Sequence, residues 1–337
     1  MAGFTTYSDI GQRTTVWAEV EMLSHAEPIL VLERWGLTKP LPRNKAETVK
    51  FRRPIPFAVT TVALTEGVTP PPQGMRYEDV QVTMAQYGAH VVITDRVADL
   101  NEDPVLKDAA KLCGEQAAET KENIIWGVLR GGTNVAYTGT ATTRGSTTGV
   151  DTVLTTSDQR GITRSLKRQR AKYHTSMLSG SPNYSSEPVD SSFIAFAHTD
   201  CESDIRNMAG FVPRERYGQA TKIVPGEIGK VEDVRYIISP VLEFLAAAGN
   251  TTVPTGIKSD GDSIVDVYPI VYLGKEAFGN VPLKGAGALS PQVQNPGQRS
   301  PSDPLGQRGY VSWKMWFACL RLNEAWMQRL ETAVSDL

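Results

Sequence analysis

Apolar positions change their spacing several times along the chain, and each change marks a different predicted element. Val16, Val20, Leu23, Ile29, Leu30 and Leu32 recur at helix-like intervals within 16–35, and Pro28 divides that segment into two short helices. A basic, proline-punctuated stretch follows (Lys39, Pro40, Pro42, Arg43, Lys45), so residues 1–45 are expected to form an N-terminal arm reaching onto a neighbour. From Thr48 the period becomes two. Val49 and Phe51 alternate with Lys50 and Arg52, and later Val80, Val82 and Met84 alternate with Gln81 and Thr83. Pro54 and Pro56 interrupt the first run, and Glu66-Gly-Val-Thr-Pro-Pro-Pro-Gln-Gly74 reads as the tip of a long two-stranded ribbon. Such a ribbon has too little core of its own and needs another surface to lie on.

Residues 103–130 carry the clearest helical pattern. Asp103 stands as N-cap, Pro104 at the first helical position and Gly131-Gly132 at the end, with Leu106, Ala110, Cys113, Ala117, Ile124 and Val128 on one stripe. At 1.5 Å per residue the helix would be roughly 40 Å long, a spine rather than a packing helix. Residues 131–157, rich in Gly and Thr, read as an exposed loop, and Arg164 to Lys172 as a basic helix. Ser192-Phe-Ile-Ala-Phe-Ala197 has the character of a buried strand, followed by a helix start at His198 to Arg206. Val231–Ile238 and Val265–Leu273 read as two further strands separated by an irregular loop at 246–262. Residues 279–309, with five prolines, read as loop, ahead of an aromatic segment Tyr310–Leu320 and a short amphipathic tail with Trp326 and Leu330. Together these elements predict an α+β fold with pairing between the middle and the C-terminus.

Composition narrows what such a fold can do. Of 337 residues 40% are hydrophobic, enough for a sizeable core, and a net charge of −2 is too low in Lys and Arg for a chain that coats nucleic acid tightly. Cys113, Cys201 and Cys319 are far apart and form no C-x-x-C pair, which points to a reducing compartment without a disulfide framework or zinc site. No basic-then-apolar leader follows Met1 and no stretch reaches the roughly 18 apolar residues of a membrane span, so a soluble protein is expected.

Candidate chemistry is sparse. Gly226-Glu-Ile-Gly229-Lys230 has too few residues between its glycines for a phosphate loop and Val231 where Ser or Thr should stand, so it reads as a turn into a strand. His198, Asp200 and Cys201 are close in sequence, but neighbours at a helix start point in different directions, and capping and packing explain them better than a metal or a Cys/His pair. His25, His90 and His174 are scattered elsewhere. A hydrolase assembled from Asp200, Asp204 and His198 is the enzymatic alternative, and a nucleic-acid-binding module using Arg164 to Lys172 the other. Trp313, Trp316 and Trp326 lie among Val311, Phe317 and Leu320 and read as core.

Three segments carry a more specific signal: Pro225-Gly-Glu-Ile-Gly-Lys-Val-Glu-Asp-Val-Arg-Tyr-Ile-Ile238, Val271-Tyr-Leu-Gly-Lys-Glu-Ala-Phe-Gly279 and Asp303-Pro-Leu-Gly-Gln-Arg-Gly-Tyr-Val-Ser-Trp-Lys314. In content, order and spacing they resemble the tailed-bacteriophage major capsid proteins, in the branch whose founding members come from a virion-polymerase-carrying podovirus. The resemblance runs from about residue 10 to the C-terminus. It implies the tailed-phage/herpesvirus-type capsid fold: N-terminal arm 1–45, extended β-ribbon loop 46–98, peripheral domain with the spine helix 99–154, axial domain 155–290, and a return to the peripheral domain over 291–337. It further implies a virion protein made in a host bacterial cytoplasm, without cofactor or catalysis, that assembles into hexamers and pentamers of an icosahedral head around double-stranded DNA. Expected partners are its own copies, a separate scaffolding protein, a portal and a decoration protein, with weak non-specific contact to packaged DNA. The residues expected at subunit contacts are Arg43, Lys45, Arg52, Arg53, Glu66, Lys167 and Arg168, which would select register more than supply stability.

Overall fold

The computed structural model describes residues 30–64, 66–100, 105–178, 186–217, 223–260, 263–284, 290–297 and 303–336. In chain order the strands and helices are β1 (Leu37–Thr38), β2 (Thr48–Pro54), β3 (Tyr77–Thr83), β4 (Ala85–Thr94), α1 (Asp95–Leu100), α2 (Val105–Arg130), β5 (Val135–Tyr137) and α3 (Thr156–Arg168). They continue with β6 (His174–Leu178), β7 (Ser186–Ala197), α4 (Glu202–Asn207), β8 (Phe211–Pro213), β9 (Glu227–Val231) and β10 (Val234–Ile238). The last are β11 (Tyr268–Leu273), β12 (Phe278–Pro282), β13 (Ser290–Gln294), β14 (Arg308–Arg321) and β15 (Met327–Thr332). The α+β class is confirmed, and the strands form two sheets and a separate ribbon.

The smaller sheet is organised on β14. This strand pairs along one edge with β4 and along the other with β12 and β13, while β1 adds to β12 in parallel. Helix α2 crosses one face. The Ala109, Ala110, Cys113 and Ala117 stripe meets Val311, Trp313, Met315 and Ile93, and these small helical side chains let the helix approach the large ones on the sheet. Ala110, Cys113 and Ala117 of the predicted stripe are buried, and Leu106, Ile124 and Val128 are partly buried. The predicted cap at Asp103 and Pro104 lies outside the described residues, as does most of the predicted helix pair at 16–35.

The larger sheet runs β5-β15-β11-β7-β10-β9-β8, with β6 on the first half of β7. β7 explains why its sequence lacks alternation. Phe193, Ala195 and Ala197 face the layer of α3 and α4, while Ile194 and Phe196 face Ile125, Trp126 and Leu129 at the end of α2. A strand covered on both faces needs apolar groups at every position. At its centre Tyr236 and Tyr272 share a hydroxyl contact of 2.9 Å, and Tyr236 donates to Gln159 Oε1 of α3 at 2.8 Å.

Three sequence readings are corrected. The proline-rich 279–309 segment holds β12 and β13. Both fit because Pro282 ends its strand and Pro291 sits in β13, which among the described residues pairs with β14 on one side alone, an edge position that tolerates proline. The amphipathic tail is β15, buried throughout: Glu331 receives both Arg144 nitrogens at 2.7 and 2.6 Å, so its charged residues enter a sheet interior in pairs. Residues 131–157 are mainly loop but contain β5.

Residues 30–41 pack on the chain's own body. Val31, Leu32 and Trp35 are buried in the core between α2 and the larger sheet, and Lys39 and Leu41 donate backbone hydrogen bonds to Asn280 and Pro282. The carboxylate of Glu122, wholly buried on α2, accepts the Val31 and Leu32 amides at 3.0 Å each.

Candidate subunit-assembly surfaces

The ribbon of β2 and β3 is built on local pairing. Its register runs from Thr48 opposite Thr83 to Pro54 opposite Tyr77, fixed by Arg52 donating to both Asp79 oxygens (2.7 and 2.8 Å) and by Arg53 donating to Glu78 (2.8 Å). The Arg52 guanidinium holds the Asp79 carboxyl below its ordinary range. At the base, Val49, Phe51, Val80 and Val82 rest on Val281, Ala318 and Leu320. Beyond Pro54 that support ends. Phe57 is 56% exposed and Val59, Val62 and Leu64 are 79%, 80% and 75% exposed, with Ile55, Val68, Met75 and Tyr77 exposed beside them. Half of the large hydrophobic side chains exposed on the described residues therefore lie within 55–77. Each would contribute about 1.5–3 kcal/mol if buried, so an apolar surface of this extent marks an interaction site.

The sequence-predicted contact residues fall into two groups. Arg43, Lys45 and Glu66 are exposed, the first two flanking Asn44 in a left-handed turn (φ 58°), the third beside Gly67 at the ribbon tip (φ 78°). Arg52, Arg53 and Lys167 already pair within the chain, the last with Asp233, whose carboxyl it holds below its usual range. Arg168 is exposed at the end of α3. What the sequence reading missed are the apolar residues of the ribbon arm. Their signal was the run Phe57-Ala-Val-Thr-Thr-Val-Ala-Leu64, apolar yet inside a proline-bounded loop.

The residues that suggested chemistry are engaged structurally. His198 Nδ1 accepts the Asp200 amide at 3.1 Å and caps a short helical turn, while Asp200 receives Lys258 Nζ and the Tyr268 hydroxyl at 2.6 and 2.9 Å. Asp204 accepts the amide and hydroxyl of Ser335, anchoring the C-terminal segment. Burial pushes the Cys201 thiol far above its ordinary range, which makes it a poor nucleophile. In the Gly226–Lys230 turn, Glu227 is buried and its carboxylate receives the Val224 amide and the Tyr217 hydroxyl at 3.0 and 2.7 Å, so the turn holds a side-chain anion of its own. Trp313 is buried and its Nε1 donates to Gln116 of α2 at 3.1 Å. Among the described residues, no helix is long and apolar enough to cross a membrane.

A spine helix on one sheet, a second sheet covered on both faces and a projecting apolar ribbon define the shell-protein fold of tailed phages. Solved structures bear this out at the level of fold. The capsid of Ralstonia phage GP4 aligns with a TM-score of 0.67 at 12% identity, over 89% of this chain and 87% of that one. The head structure of Helicobacter pylori bacteriophage KHP40 gives 0.58 at 9% identity, over 99% and 95%. The Cyanophage Pam1 capsid gives 0.56 at 13%, over 100% and 97%. The phage capsid protein family matches residues 77–317, and the chain belongs to that family. A major capsid protein of Pseudomonas phage KPP21 is 25% identical over 128 residues, 36% of this chain and 32% of that protein, so the match spans about a third of the relative.

Proposed function

We propose that the chain is a major capsid subunit that assembles with its own copies, as hexamers and pentamers, into an icosahedral head around double-stranded DNA. The observation that carries this reading is the ribbon. It exposes Phe57, Val59, Val62 and Leu64 on the irregular segment that leaves β2 and leads to the ribbon tip, beyond the part of the ribbon that rests on the chain's own sheet, an arrangement suited to burial on an adjacent subunit. Membership of the phage capsid protein family supports the same conclusion. The ribbon then serves as the extended loop, α2 with the sheet of β4 and β14 as the peripheral unit, and the larger sheet with α3 and α4 as the axial unit. β14 lies in the first sheet and β15 in the second, which ties the two units together. The podovirus branch is the reading that the three sequence segments favour, and a separate scaffolding protein and a portal, with a decoration protein as an optional addition, are the partners this reading expects. Neither catalysis nor a cofactor enters this reading, because the carboxylates and histidine of the alternative hydrolase are taken up in caps and anchors.

Electron microscopy of the purified full chain under assembly conditions tests this. Rings, capsomers or closed shells are expected. A homogeneous monomer with saturable turnover of a substrate would overturn it.

A further inference from the structure

The basic segment that ends α3, which holds Lys167 and Arg168 of the expected subunit contacts, lies apart from the apolar ribbon on which the assembly reading rests. α3 begins with a capping box between Thr155 and Asp158, which fixes its start, and buries Gln159, Ile162, Thr163 and Leu166 against the larger sheet. Its outer side carries Arg160, Arg164 and Arg168 at four-residue intervals, hence on one stripe, with Lys167 beside them. Two of these cations have carboxylate partners on the β9–β10 turn: Arg160 donates twice to Glu232, and Lys167 pairs with Asp233. Arg164 and Arg168 are exposed, and no carboxylate is seen beside either among the described residues. The stripe borders a shallow open cleft of about 510 Å³ lined by Arg160, Thr163, Arg164, Lys167, Arg168 and Glu232. Arg170 and Lys172 continue the positive charge past the end of the helix.

Two ordinary explanations account for part of this charge. Cations in a last turn offset the helix dipole, which covers Lys167 and Arg168 but neither Arg164, a turn earlier, nor Arg170, outside the helix. A subunit contact would need apolar or aromatic anchors at its centre, where charge is normally depleted. No such anchor lines this cleft, whereas the ribbon holds them in number. What remains is a surplus of cations, Arg164 and Arg168, beside the paired Arg160 and Lys167 on an open surface of a chain whose net charge is −2. Arg and Lys on such a surface suit backbone phosphates, which are regularly spaced and need no shaped pocket.

We propose that the Arg164–Arg168 stripe of α3 is a phosphate-contacting surface for a polynucleotide, independent of base sequence and distinct from the subunit contacts. It goes beyond the assembly reading and does not depend on the ribbon. The test is binding of the full chain to a fluorescent DNA duplex of random sequence, measured as anisotropy across a NaCl series, with particle formation followed in parallel by electron microscopy. Wild type should bind weakly, with log K falling linearly against log[NaCl]. Arg164→Gln/Arg168→Gln should make that slope shallower by about 1.8, two phosphate contacts at about 0.9 each, and leave particle formation intact. Arg164→Lys/Arg168→Lys should keep the slope. If the paired Gln variant does not fold, the single Arg164→Gln and Arg168→Gln chains replace it, each expected to lose about 0.9. No DNA binding by wild type, or an unchanged slope in the Gln variants, overturns the proposal. So does a Gln variant that binds DNA normally but no longer forms particles, which would make the stripe a subunit contact. Failure of wild type to form particles counts against the assembly reading alone, since the salt slope is read on the free chain.

Discussion

Glu122 and His174 are buried titratable groups whose effects on stability oppose each other. Burial, countered by the Leu32 and Val31 amides, pushes the Glu122 carboxyl from 4.5 up to about 7. Between those values the folded chain keeps a proton that the unfolded chain has lost, so this group makes stability fall as pH rises. His174 packs edge-on against Trp35, and burial pushes its imidazole from 6.5 down to about 4. Here the unfolded chain holds the extra proton, so stability rises with pH across that window. Each shift is on the order of 3 kcal/mol. From about pH 4.5 to 6.5 the two slopes therefore largely cancel. Urea unfolding of the unassembled chain should show stability rising over pH 4–6.5 in Glu122→Gln, where the opposing Glu122 contribution is gone, and rising less or falling over pH 4.5–7 in His174→Phe. Flat profiles in both variants would disprove the assignment. Neither group was legible as special in the sequence, because burial comes from α2, β6 and residues 31–35 meeting across the chain.

At the scale of elements, the ribbon and the spine helix make different predictions. Val59→Asp, Val62→Asp and Leu64→Asp alter side chains that touch little within the chain, so the melting temperature of the free subunit should barely move. Shell yield, read by sedimentation, should fall at least tenfold in each, since losing about 1.4 kcal/mol per contact already gives that factor. Unchanged yield would show that the ribbon arm lies outside the interface. Ala110→Leu does the reverse. Ala110 is wholly buried where α2 meets the sheet, so the larger side chain should cost the free subunit about 1–3 kcal/mol in urea unfolding. The helix stripe and the β2–β3 ribbon were both legible, because local periodicity specifies them. β12, β13 and β15 were not: prolines and charged side chains conceal strands whose partners lie elsewhere in the chain.

For the whole molecule, two surfaces of different chemistry imply two responses to salt. Apolar contacts of the ribbon are insensitive to screening, while phosphate contacts of α3 are not. Raising NaCl to about 0.5 M, where the Debye length is well under 10 Å, should leave assembled particles intact by light scattering and release DNA from the free chain. Particles that dissociate under that salt would place the main subunit contacts on charged groups such as Arg43, Lys45 and Glu66 instead.

The sequence by itself determined the class of fold, the spine helix, the ribbon and the family resemblance, because these rest on short-range spacing and on motifs contiguous along the chain. Tertiary structure alone decided three further things: that residues 31–41 pack on their own chain, that β14 joins β4, β12 and β13, and that Arg52, Arg53 and Lys167 are paired within the chain. The physical reason is the same for each. A strand is defined by its partner and a charge by its neighbour, and here both are supplied by residues far away in sequence.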